Sequence, residues 1–238
     1  MKKAIVVGAT SGIGRALAIL LADRNYLVGV TGRRKNLLDE LKSQRPDQFV
    51  VSDFDLTDTF ATGNKLEELT GTLGQLDLLI LSSGTGEINK GLDFVIEKNT
   101  LDLNVTGFTE VADWAINYFQ KQKQGHFAAI TSVGGIRGSR HSPAYNASKA
   151  YQINYLEGLR QKLSRSGLPV YITDVRPGFV DTQMAKGDGK FWVAKVERAA
   201  SQILSAIEKR KSVVYVTRRW RLIAAILRIL PGWLYKRL

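Results

Sequence analysis

The chain has 238 residues, 44% of them apolar, and a formal net charge of +12 from 34 basic and 22 acidic side chains. That length suits one large α/β domain with a sizeable core. The lack of cysteine excludes disulfides and thiolate metal sites. No apolar run reaches the roughly 18 residues of a membrane-crossing helix, and Ala4 to Val7 is too short for a signal-peptide core. A cytoplasmic protein is therefore expected. Half the net charge lies in the last 21 residues, as Arg218, Arg219, Arg221, Arg228, Lys236 and Arg237 with no acidic residue among them. Such asymmetry points to an anionic surface. No nucleic-acid-binding motif accompanies it, so the cytoplasmic face of a membrane is the expected contact.

Lys3 to Val7 reads as a short buried strand. Gly8-Ala9-Thr10-Ser11-Gly12-Ile13-Gly14 follows, and then a helix in which Ile13, Leu17, Leu20 and Leu21 share one face. A glycine-rich turn between strand and helix is the setting of a dinucleotide-binding fingerprint, here spaced G-x-x-x-G-x-G rather than G-x-G-x-x-G. Small residues let the backbone approach a pyrophosphate, and the helix N-terminal N–H groups face it. Tyr26 to Thr31 is a second strand, followed by Gly32-Arg33-Arg34. No carboxylate for a ribose 2′-OH occurs there before Asp39. Two arginines match a 2′-phosphate by charge and by bidentate geometry, so NADP is expected over NAD.

Leu37 to Lys42 reads as helical and Gln48 to Ser52 as the third strand. Asp53-Phe54-Asp55-Leu56-Thr57 stands at its carboxyl end. Asp55 accepts from an adenine amine, or Asp55 or Thr57 caps the helix of residues 58–69, or both hold. Leu76 to Leu81 is a near-continuous apolar strand, as in a parallel sheet covered on both faces. Ser82-Ser83-Gly84-Thr85-Gly86 closes it beside the cofactor. Asp93 to Gln122 reads as one long helical region containing Asn104, either a structural hydrogen-bonder or a proton-relay member.

Phe127 to Thr131 is the fifth strand and leads to Ser132. The helix of Ser142 to Ser166 carries Tyr145 and Lys149, four residues apart on one face. A free Tyr titrates at about 10. A fixed cation beside it lowers that value, which suits a general acid/base near neutrality. Tyr–Lys pairs at this spacing are common on helix surfaces, so the pair depends on what surrounds it. Pro169 to Val175 is a strand, followed by the turn Arg176-Pro177-Gly178-Phe179-Val180-Asp181-Thr182. A helix from Val196 to Lys209 and a strand from Ser212 to Thr217 close the pattern.

The alternation implies one Rossmann-like, doubly wound parallel sheet of about seven strands over residues 1–217, with helices on both faces. Residues 218–238 form a separate basic amphipathic segment. Gly8, Arg33, Asp55, Gly84, Ser132 and Pro177 all fall at carboxyl ends of strands, where such folds bind ligands.

The Gly loop (8–14), Asp55, Asn104, Ser132, Y-N-A-S-K (145–149) and R-P-G-F-V-D-T (176–182) resemble, in order and spacing, the short-chain dehydrogenase/reductase family over Lys3 to Thr217. The resemblance implies an NADP-dependent oxidoreductase acting on a small-molecule carbonyl or alcohol without a metal. Tyr145 would be the general acid in reduction. Lys149 would bind the nicotinamide ribose and lower the Tyr145 pKa. Ser132 would hold the substrate oxygen, and Asn104 would anchor a relay water. The cofactor set would be Gly8, Thr10, Ser11, Gly12, Ile13, Gly14, Arg33, Arg34, Asp55, Leu56, Ser83, Gly84, Pro177, Gly178, Val180 and Thr182, with Tyr145 and Lys149. A homodimer or homotetramer pairing through residues 93–122 and 143–166 is implied too. The sequence departs from the family at Leu81-Ser82-Ser83-Gly84, which replaces N-N-A-G, and at Val7, which replaces a Thr. The alternative is a catalytically idle NADP-binding scaffold or sensor, with membrane recruitment through the C-terminal tail.

Met184, Phe191 and Trp192, within a short segment 183–195, hint at an apolar substrate, though packing on the domain's own core explains them equally. Ile136, Arg137, Ser139 and His141 are the expected substrate-discriminating positions, His141 as a loop residue. In the tail, Trp220, Ile223, Ala224, Leu227 and Leu230 share one face, opposite Arg221, Ala225 and Arg228. This fits an interfacial helix on an anionic membrane, or a helix packed on a partner subunit or over the substrate cleft.

Overall fold

The computed structural model describes residues 1–184 and 191–237. Its strands are β1 (Lys3–Val7), β2 (Leu27–Gly32), β3 (Phe49–Asp53), β4 (Leu78–Leu81), β5 (Gly125–Ile130), β6 (Val170–Pro177) and β7 (Val213–Val216). They form one seven-stranded parallel sheet in the order β3-β2-β1-β4-β5-β6-β7. The chain leaves β1 toward one sheet edge and returns at β4 to build toward the other. Between these two strands the crossover helices part, and a crevice opens at the carboxyl ends.

Alternate residues of each strand face opposite layers. Ala4 and Val6 pack with α1 (Gly12–Asp23), α2 (Lys35–Gln44) and α7 (Val196–Glu208). Ile5 and Val7 pack with α3 (Thr59–Leu73), α5 (Phe108–Gln122) and α6 (Pro143–Ser164). The strands lie between two apolar layers, which explains their unbroken hydrophobic runs.

The long helical region of residues 93–122 is not one regular helix. It comprises α4 (Phe94–Leu101), a π-helical turn (Asp102–Gly107) and α5. The π turn carries Asn104, whose carbonyl and side chain all bond outside this helix. Those outside partners hold the inserted residue in place.

A buried polar seam joins β5 to β6. Asp174 is fully buried, accepts from Thr131 at 2.6 Å, and pairs with the Arg176 Nη2 at 2.6 Å. Deeper in the sheet the His126 Nε2 meets the Thr173 hydroxyl at 2.8 Å. That hydroxyl donates its only proton to the Lys211 carbonyl, so His126 must be the donor and its Nε2 tautomer is fixed.

Burial, and to a lesser extent Arg210, lowers the His126 pKa to about 4. The unfolded chain protonates this ring near pH 6.5 and the folded chain only near 4. The stability it contributes is complete above about pH 6.5 and is lost as pH falls from there to 4. At roughly 1.4 kcal/mol per pKa unit the loss is about 3 kcal/mol. Urea denaturation of wild type and His126→Gln at pH 7 and pH 4 should differ by about that amount in their acid slopes; parallel slopes would contradict it.

Candidate active site

The turn after β1 has a conformation only glycine adopts easily: Gly8 sits at φ +91°, where a Cβ would lie 2.5 Å from the Ser83 Oγ. A Cβ on Gly14 would stand 2.0 Å from the Gly8 carbonyl, so α1 can begin this close to the strand only with glycine there. The result is a helix N-terminus whose first-turn N–H groups, without partners inside the helix, open onto a cavity of about 740 Å³.

Of the expected cofactor residues, Gly8, Thr10, Ser11, Gly12, Ile13, Arg33, Arg34, Asp55, Leu56, Ser83, Gly84, Tyr145, Lys149 and Thr182 line this cavity. Gly14, Pro177, Gly178 and Val180 do not; they support its walls. Val180 is buried and bridges Ala194, and Gly178 lies under the Trp220 indole. Sequence reasoning missed Arg15, Phe54, Leu103, Thr131, Asp181 and Gln183, which also line it. Phe54 within D-F-D and Asp181 within R-P-G-F-V-D-T stood in motifs the sequence displays.

The two arginines diverge. Arg34 donates to the hydroxyls of Thr10 at 2.5 Å and Ser11 at 2.8 Å, bringing its guanidinium to the Gly loop. Arg33 is largely exposed and reaches the Asp55 carboxylate at 3.4 Å. Burial pushes the Asp55 carboxyl up, but bonds from Thr57 and the Arg33 charge outweigh it and hold it low. Asp55 accepts from the Thr57 N–H at 3.0 Å, while the N-cap position of α3 belongs to Asp58.

Tyr145 and Lys149 sit in the first turns of α6, whose N-terminus is fixed from three sides. Pro143 occupies the first turn, the Ala144 N–H donates to the Glu97 carboxylate of α4 at 2.8 Å, and the Ser142 hydroxyl donates to the Glu87 carbonyl at 2.8 Å. Asn146, beside Tyr145, donates to the carbonyls of Gly134 at 2.6 Å and Arg137 at 3.0 Å. It thereby ties the short 3₁₀ turn (Val133–Ile136) after Ser132 to α6. The Ser132 Oγ accepts from the Gly134 N–H at 2.9 Å, leaving its proton for the phenol side.

Two expectations change here. The Asn104 side chain accepts from the Thr85 N–H at 2.9 Å and donates to the Thr85 carbonyl at 2.7 Å and the Ser148 Oγ at 3.0 Å. It clamps the β4 loop to α6, with both amide protons engaged. Tyr145 is shifted up rather than down: burial raises its pKa, and a hydrogen bond with Ser132 only partly offsets that. Lys149 is itself buried, and burial lowers its pKa to about 8 against the pull of Asp174. Its ammonium donates to the Ile130 carbonyl at 3.1 Å and the Gln152 Oε1 at 3.0 Å.

This arrangement sets a protonated phenol, a serine hydroxyl and a buried ammonium at one end of a cleft floored by glycines, beside a helix N-terminus. A family model described as short chain dehydrogenase matches residues 2–191. The chain belongs to the short chain dehydrogenase family. Its relatives include an uncharacterized oxidoreductase of Myxococcus xanthus, 33% identical over 188 residues covering 77% of this chain and 74% of that one. Another, from Staphylococcus epidermidis, is 30% identical over 188 residues, covering 78% and 81%. A short chain dehydrogenase/reductase of Burkholderia phymatum, solved in complex with NAD, shares the fold with a TM-score of 0.85 at 18% identity, over 94% of this chain and 92% of that one. The chain is thus an oxidoreductase of this family.

The residues expected to discriminate substrate are engaged elsewhere. Ile136 packs with Trp220, Ala224 and Phe179. Arg137 donates to the Leu230 carbonyl and lies over the Tyr235 ring. Ser139 accepts from the His141 N–H, and exposed His141 accepts at its carbonyl from Asn89. Helices α8 (Trp220–Ile229) and α9 (Gly232–Tyr235) therefore form part of the wall beside Ser132. Residues 185–190 of the short segment 183–195 lie outside the described residues; within the rest, Phe191 stacks on Trp220 at 5.0 Å.

Gly86 closes the cleft from the opposite side, where an added Cβ would stand 2.4 Å from the Tyr145 ring. Gly86→Ala should displace the phenol, cutting turnover at least about tenfold while cofactor affinity stays within about twofold. Dinucleotide titration alongside turnover checks it; unchanged turnover would show the ring position to be immaterial.

Proposed function

We propose that the chain is an NADP(H)-dependent oxidoreductase interconverting a carbonyl and a secondary alcohol of an apolar substrate. The convergence of Ser132, Tyr145 and Lys149 at the carboxyl end of the sheet carries this reading. A bound nicotinamide dinucleotide would supply or accept the hydride. Ser132 holds the substrate oxygen through its hydroxyl proton, which points to the phenol side. Tyr145, kept protonated by burial, gives its proton to that oxygen in reduction and takes one in oxidation. Lys149 directs a third N–H toward the cavity, since two of its donors are engaged, and holds the nicotinamide ribose.

For the cofactor, the α1 N-terminus takes the pyrophosphate and the arginines take a 2′-phosphate. No carboxylate follows β2 closely; Asp39 already pairs with Lys35 at 2.6 Å. Arg34, anchored to the Gly loop, is the better-placed partner and Arg33 the outer one. NADPH oxidation over a panel of ketones and aldehydes tests the reading. Tyr145→Phe should lose at least about a thousandfold in turnover while still binding NADPH, and Arg34→Ala should weaken NADPH far more than NADH. NADPH binding without turnover of any panel member by wild type would favour the idle-scaffold reading.

A peripheral membrane contact is proposed through a different face of the tail than expected. Trp220, Ile223, Ala224 and Leu227 face inward onto Val133 and Phe179. A second stripe, Leu222, Ile226, Ile229 and Trp233, faces outward at 52–81% exposure beside the tail arginines. Such a basic, apolar surface suits anionic lipid. Among the described residues no helix is long and apolar enough to cross a membrane. Pairing into a dimer or tetramer through α4, α5 and α6 is supported by exposed Phe94, Val95 and Leu101.

Deleting 218–238 would uncover the inner face and so would not isolate the lipid contact. Ile226→Glu with Ile229→Glu leaves that face intact. Wild type should sediment with vesicles of mixed phosphatidylcholine and phosphatidylglycerol and the double variant should not; equal sedimentation would refute the contact.

A further inference from the structure

Gln152 is one turn beyond Lys149 on α6 and is 1% exposed. Its Oε1 accepts from the Lys149 ammonium at 3.0 Å and its Nε2 donates to the Asn104 carbonyl at 2.8 Å. The family resemblance expects a relay water at Asn104. Here a side-chain amide joins Asn104 to Lys149 directly. The π-helical turn frees the Asn104 carbonyl from its own helix, and Gln152 takes it up.

We propose that Gln152 is a positioning residue that fixes the Lys149 ammonium and closes a water path between it and Asn104. The proposal rests on the reading of Lys149 as a member of the catalytic group. An amide holding one acceptor and one donor in fixed bonds does not pass protons as a water chain does. The proton that Tyr145 gives up must then be replaced through the open cleft, not through the helix layer. Gln152 also supplies one of two neutral acceptors that let a cation stay buried. The other charged or titratable groups facing Lys149 are Tyr145 on its own helix and, from β6, Asp174, which Arg176 already neutralises.

Lys149 should therefore titrate according to what stands at position 152. Gln152→Glu places a carboxylate against the ammonium and should raise its midpoint from about 8 by about a unit or more. Gln152→Met keeps the shape, removes the acceptor, and should lower it. The measurement is an NMR titration of ¹³C-lysine-labelled protein, with the Lys149 signal assigned by Lys149→Met. The pH profile of NADPH-driven carbonyl reduction runs alongside, and its alkaline fall should move in the same order. A Lys149 midpoint that is the same in wild type and Gln152→Glu overturns the proposal, even if Gln152→Met fails to fold. Midpoints that move while no protein turns over any carbonyl uphold the positioning role and count against the catalytic reading alone.

Discussion

Lys149 carries its ammonium into the interior with no carboxylate in direct contact, and the surrounding elements are arranged around that charge. A buried cation is tolerated only where acceptors replace the lost water. One acceptor is the Ile130 carbonyl at the end of β5, and the other is Gln152 on α6. Asp174 on β6 adds attraction from farther away, while Thr131 and Arg176 hold it in place. Four elements must be in register for this to work: β5, β6, α6 and the π turn that supports Gln152. The parallel sheet supplies that register, because β5 and β6 pair from Gly125 with Val170 to Ile130 with Val175. The lowered Lys149 and the raised Tyr145 both follow from burial.

The rigid position of α6 has a separate cause. Glu97 is 47 residues away in sequence from the amide it accepts at Ala144. A carboxylate at a helix N-terminus meets both free N–H groups and the positive end of the helix dipole. Buried Asn89 holds Glu97 in turn, and donates also to the Asp93 carbonyl at 3.0 Å. The loop after β4 is thus tied to the start of the helix that bears Tyr145. Gly86 lets that loop lie flat against the phenol ring.

Much of this was legible in the sequence where the signal is local. Seven strands alternating with helices follow from apolar runs and periodicity, and the Gly loop announces itself between β1 and α1. The Tyr145–Lys149 spacing survives folding because helix geometry preserves it. What was not legible depends on contacts between distant segments. Nothing near Asn104 marks a π turn, since its cause is bonding to Thr85, Ser148 and Gln152. Gln152 looks like an ordinary polar residue on a helix until its partners are known. Arg33 and Arg34 are adjacent and chemically alike, yet only backbone geometry sends one to the Gly loop and the other to Asp55.

The tail shows how one pattern can have two faces and only one be read. Its period placed Trp220, Ile223, Ala224 and Leu227 together correctly, but could not say what they would cover. They cover the turn after Ser132, with the Trp220 indole where a Cβ on Gly178 would stand. Arg137 and Tyr235 then clasp the end of the tail onto residues 137–138. This contact engages Ile136 and Arg137 and packs the tail against the turn after Ser132. On the other side of Trp220, Phe179, Phe191 and Trp192 gather around it. Such an aromatic cluster makes contact by apolar area and shape, in keeping with the apolar substrate proposed for this chain.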